Sequence, residues 1–173
     1  VDQFGDPIIK RGWNLLSIPV KPTNPDYREM YPNVTHAPIY YSNNVYAEVS
    51  TGGQLEEGLQ EGVGYFMKYS ELVDKTFAGT YISEISKDRD NAPRVYPRDG
   101  GRGGWNTVGA LTHPTNIMHI EFEDYQGLTL PETDYTLENG VYGYNTNEGY
   151  HRVSELQPGL GYWIKVNGNG YYK

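Results

Sequence analysis

The chain of 173 residues carries one phrase twice: Leu59-Gln60-Glu61-Gly62-Val63-Gly64-Tyr65-Phe66-Met67-Lys68, and 97 positions on, Leu156-Gln157-Pro158-Gly159-Leu160-Gly161-Tyr162-Trp163-Ile164-Lys165. A second signature precedes each copy, Gly12-Trp13-Asn14-Leu15-Leu16-Ser17 and then Gly104-Trp105-Asn106-Thr107-Val108-Gly109, 92 positions on. Two signatures in the same order at nearly the same offset are an internal duplication, so whatever fold is adopted must be buildable twice.

The repeated unit reads as β. Trp13–Val20 alternates, with Leu16, Ile18 and Val20 on one face and Trp13 and Leu15 on the other. Its twin keeps apolar residues at two of those places, Val108 and Ala110, which marks Leu16 and Ile18 as core. Ile39-Tyr40-Tyr41 and Val45–Val49 flank Ser42-Asn43-Asn44, a hairpin signal. The later copy is Val141–Tyr144, a turn at Asn145–Gly149, then Tyr150–Val153. The paired glycines Gly62/Gly64 and Gly159/Gly161 call for positive φ or a tight backbone approach. Helices are scarce; the best candidate is Pro25–Tyr31, with Asn24 as N-cap.

The expected fold is therefore all-β: two tandem, small, sandwich-like antiparallel modules at 12–86 and 104–173. An N-terminal strand segment, 1–11, precedes them and a polar linker, 87–103, joins them, with a possible strand near Val95-Tyr96. Hydrophobic residues make up only 37% of the chain, and 17 Tyr stand against 4 Phe, so the core is thin and aromatic rings must supply much of its buried area. A net charge of −8 argues against nucleic-acid binding. No window resembles a membrane span, and the lack of cysteine excludes disulfides and thiolate metal sites. The chain starts at Val1 without a hydrophobic leader, and removal of a signal peptide is the preferred explanation.

The two phrases together resemble a repeat module of secreted bacterial surface proteins. In that pattern Gly-Trp-Asn and an apolar strand lead to a Tyr-rich hairpin and then Leu-x-Pro-Gly-x-Gly-Tyr-Trp-x-Lys. The first copy carries Trp13, Gly62, Gly64, Tyr65 and Lys68; the second carries Trp105, Pro158, Gly159, Gly161, Tyr162, Trp163 and Lys165. Phe66 and Glu61 depart from it, and no sorting domain follows. The resemblance implies an extracellular or cell-surface location and no catalytic role.

No residue set reads as an active site, and no catalytic, cofactor or metal position is assigned. His36, His113, His119 and His151 have no metal-ligand spacing. Asp88-Arg89-Asp90-Asn91 lacks the spacing of a calcium loop. Glu121, Glu123 and Asp124 form one acidic run where glycoside hydrolysis needs carboxylates across a cleft.

The aromatic residues allow two functional readings. Neighbours on a strand point to opposite faces, so at Tyr40-Tyr41 and at Tyr171-Tyr172 one ring of each pair leaves its module's core. Rings outside the core serve either as anchors between subunits or as platforms for a surface polysaccharide. A structural, non-enzymatic subunit that forms a homo-oligomer or polymer is the expectation; a carbohydrate-binding or adhesion module is the alternative. The second copy stops where the strand matching Phe77–Ile82 would run, which predicts an unpaired edge near Tyr171 and Tyr172. The segment holding Phe4, Ile8 and Ile9 is the spare strand, either folded back on its own chain or donated to the next subunit.

Overall fold

In a computed structural model the described residues are 8–42, 45–49, 58–74, 77, 79–81, 94–95, 98–99, 102–123, 137–166 and 170–172. Phe4, the Asp88–Asn91 run and Asp124 lie outside them. The first module holds β1 (Ile8–Ile9), β2 (Gly12–Leu16), β3 (Val20–Lys21), α1 (Tyr27–Met30), β4 (Ile39–Ser42), β5 (Val45–Glu48), β6 (Tyr65–Tyr69), β7 (Val73–Asp74) and β8 (Thr80–Tyr81). The connecting segment contributes β9 (Arg94–Val95), β10 (Arg98–Asp99) and β11 (Arg102–Gly103). The second module adds β12 (Trp105–Gly109), β13 (Thr115–Asn116), β14 (Phe122–Glu123), β15 (Leu137–Asn145), β16 (Gly149–Val153), β17 (Glu155–Leu156), β18 (Gly161–Val166) and β19 (Gly170–Tyr172).

Both modules are built on a four-stranded antiparallel sheet, ordered β2-β6-β4-β5 in the first and β12-β18-β15-β16 in the second. Register makes the duplication physical. Leu16 pairs with Tyr65 as Val108 pairs with Tyr162, and Trp13 pairs with Lys68 as Trp105 pairs with Lys165.

The repeated residue types have repeated jobs. Gly12 and Gly104 take φ +98 and +81, conformations costly for any residue with a Cβ. Two residues on, the buried amides of Asn14 and Asn106 each donate to the carbonyl of that glycine at 3.1 Å. The Tyr65 hydroxyl accepts from the Gln60 N–H at 2.8 Å, and the Tyr162 hydroxyl from the Gln157 N–H at 2.6 Å. Each hydroxyl thus satisfies a backbone donor in the turn before its strand, while its ring fills the core.

One face of each sheet covers its module's own core. In the first that core holds Ile9, Leu16, Ile18, Tyr31, Tyr65, Met67 and Tyr69; in the second, Val108, Ala110, Val141, Leu156, Tyr162, Ile164 and Val166. Leu16 and Ile18 are buried as expected. The helix is shorter than its sequence signal: Asp26 is the N-cap, accepting from the Arg28 N–H, while Asn24 accepts from the Asp26 N–H two residues too early to cap.

The other faces meet across a pseudo-twofold axis. Leu16 bridges Leu160 and Val108 bridges Val63, which is one contact made in both directions. The Ser17 N–H donates to Gly159 O at 2.9 Å and the Gly109 N–H to Gly62 O at 2.8 Å, again reciprocally. Such self-complementary exchange is the pattern of an isologous dimer, here within one chain.

The unpaired edge expected at Tyr171 and Tyr172 is absent. β19 is flanked on both sides, by β14 (Phe122↔Tyr172, Glu123↔Tyr171) and by β9 (Tyr171↔Arg94). The connecting segment supplies part of this cover, so it is more than a spacer. Ile8 and Ile9 pair with Asp74 and Val73 of their own chain, and Ile9 is fully buried in the first core.

Candidate functional site

Because neighbouring residues on a strand face opposite ways, β4 divides its two tyrosines. Tyr40 packs on its own core, edge-on to Tyr65 at 5.9 Å. Tyr41 turns to the other module and meets Trp163 at 5.2 Å. Counterparts follow from register: Tyr41 and Tyr144, Tyr46 and Tyr150, Ile39 and Tyr142, Phe66 and Trp163. The contact of Phe66 with Tyr144, at 5.9 Å, is therefore the symmetry mate of Tyr41 with Trp163.

Between the modules this packing leaves an open cleft of about 590 Å³. Among the described residues its lining is aromatic throughout: Tyr41 and Tyr46 from the first module, and Trp105, Tyr142, Tyr150 and Trp163 from the second. Tyr41 meets Tyr46 edge-on at 4.7 Å, and Trp105 meets Tyr142 at 5.9 Å and Trp163 edge-on at 6.1 Å. Tyr46 and Tyr150 are 63% and 57% exposed, so rings on two strands reach into water without core contacts to explain them.

The cleft also has a polar component. Burial raises the Tyr150 hydroxyl's pKa, as does neighbouring Tyr46, while the Trp163 N–H opposes the shift. That indole N–H is buried and has no partner at hydrogen-bond geometry, so it faces the Tyr150 hydroxyl without being satisfied by it. The Arg152 guanidinium lies 6.0 Å from the Tyr142 ring, placing a cation over one wall.

The second surface of interest is a sheet edge. β5 is outermost in the first sheet, and among the described residues no strand pairs with its free side. Val45 on it is 58% exposed.

Of the residues singled out from sequence as interface or exposed aromatic positions, Tyr41 lines the cleft, and the motif residues Trp105 and Trp163 line it too. Ile8, Ile9, Tyr171 and Tyr172 lie in paired strands. Sequence reasoning named Trp105 and Trp163 as motif residues and did not group them with Tyr46, Tyr142 and Tyr150. Their shared signal is that all lie on the strand face opposite the core positions. His36 sits against the Trp13 ring at 6.0 Å and His151 approaches Gly149 O at 3.2 Å. Among the described residues no three acidic or histidine side chains gather as metal ligands. No described helix is long and apolar enough to cross a membrane.

Comparison of the chain with protein families, curated proteins and solved structures returned no match.

Proposed function

We propose that the protein is a non-enzymatic structural subunit of an extracellular bacterial surface assembly, extended head to tail through an open sheet edge. The observation that carries this is β5, whose Val45 and Tyr46 are exposed and whose outer side no strand among the described residues pairs, because an open apolar edge is a template for another strand. Its counterpart, β16, has His151 where β5 has Ala47 and Gly149 where β5 has Val45. A head-to-tail interface between a donor segment and one such edge is heterologous, and heterologous contacts that do not close into a ring extend as a filament. The donor in this reading is the segment before Ile8, with Phe4 as its side-chain anchor. Ile9, buried against its own module, roots that arm.

The test is electron microscopy and sedimentation of the purified protein beside two variants. Deleting residues 1–7 while keeping Ile8 and Ile9 should leave a folded monomer, and Val45→Lys should do the same from the acceptor side. A native protein that is strictly monomeric, or variants that polymerise like the parent, would end this reading.

A second reading, carbohydrate binding or adhesion, is favoured by the aromatic cleft. It uses a different surface from the β5 backbone and is compatible with assembly.

A further inference from the structure

The cleft is where the two copies of the module differ in chemistry. Where the first has Ile39 and Phe66, the second has Tyr142 and Trp163, and both replacements add a polar head to an apolar body. Sheet packing alone has no use for those heads. The Trp163 N–H in particular is buried without an acceptor, a state native proteins rarely leave in place without a reason.

The aromatic wall is also long. Trp105, Trp163, Tyr142 and Tyr150 come from four strands in spatial succession, β12, β18, β15 and β16. With strands ~4.8 Å apart, they span roughly 14 Å, more than one sugar ring covers. Tyr41 and Tyr46 close the cleft from the first module, so an occupant touches both modules.

We propose that this cleft binds an uncharged glycan chain as an extended oligomer lying across the module boundary. The proposal rests on the carbohydrate-binding reading. A pyranose offers C–H groups on its faces and hydroxyls around its rim. The rings of Trp105 and Tyr142 suit the former; the hydroxyls of Tyr46 and Tyr150 and the Trp163 N–H suit the latter. A purely apolar chain would leave those groups unpaired. A quaternary ammonium needs ring faces free of positive charge, and Arg152 already stands over Tyr142. An acidic polymer would meet the Arg152 cation beside six uncharged side chains, on a protein of net charge −8 whose overall field opposes it.

The experiment titrates the full chain with glucose, cellobiose and cellohexaose, and with the hexamers of mannose and xylose, following tryptophan emission and heat of binding. At least one neutral hexamer should bind tenfold or more tighter than its disaccharide. Tyr46→Ala and Tyr150→Ala change exposed rings, so they should keep the unfolding temperature yet each lower hexamer affinity about tenfold or more. Trp163→Phe installs the first copy's residue; it should fold and bind more weakly, having lost the N–H donor together with part of the ring surface. Equal binding of monosaccharide and hexamer would overturn the extended-chain inference and leave the carbohydrate reading standing. Preference for sulfated or carboxylated chains would overturn the uncharged part. Silence toward every neutral hexamer would overturn both, and tryptophan emission that then changes with protein concentration would identify a second copy as the occupant.

Discussion

Each Gly-x-Gly pair contains two glycines for two reasons. Gly62 and Gly159 hold φ +75 and +77, the left-handed region. For Gly64 and Gly161 the reason is space: a Cβ on Gly64 would lie 2.7 Å from Val108 O, and one on Gly161 would lie 2.9 Å from Leu16 O. The obstacle in both cases is backbone of the other module, which cannot swing aside. Gly64→Ala and Gly161→Ala should each destabilise by about 1–3 kcal/mol, measured by urea unfolding; a loss near zero would mean that the modules separate freely. The core tyrosines give a pH dependence. Burial pushes the Tyr162 hydroxyl up to about 12, against a partial opposing effect of the Gln157 N–H, and raises Tyr65 for the same reason. A phenol whose folded pKa lies above its unfolded value near 10 contributes stability that is whole below pH ~10 and lost as pH climbs toward the folded value. Unfolding midpoints should therefore be flat to pH ~10 and fall beyond it, and Tyr162→Phe should flatten that fall.

At the scale of elements, β2 shows how far alternation reaches. It assigned Leu16 to the core and Leu15 to the opposite face, and Leu15 is nevertheless buried, because the second module covers that face. Leu16→Ala should cost ~2–5 kcal/mol, since Leu16 is 1% exposed and its neighbours belong to both modules; a smaller loss by chemical denaturation would contradict the packing. The two hairpins were legible because their strands alternate and their turns are rich in Asn and Gly. The cover of β19 was not legible. Two-residue strands such as β9 and β14 carry no periodicity of their own, and their pairing is decided by what the larger sheet leaves open.

For the whole molecule, the reciprocal contacts predict joint unfolding. Ser17 sits at the junction, its hydroxyl donating to Leu160 O at 2.7 Å and accepting from the Ala110 N–H at 3.3 Å. Heat should unfold the modules in one transition, and Ser17→Val should split or lower it by removing a buried partner from both. A chelator should leave the midpoint unmoved; a fall of many degrees would reveal a bound ion and redirect attention to Asp88–Asn91. The sequence by itself determined the duplication, the β class, the two hairpins and the burial of Leu16 and Ile18. All of these are written in local periodicity and repetition. Only the tertiary structure decided that the modules pair about a pseudo-twofold, that β19 is covered and that aromatic residues 41 to 163 meet in one cleft. Those outcomes depend on which backbone passes near which glycine, and no window of sequence contains both partners.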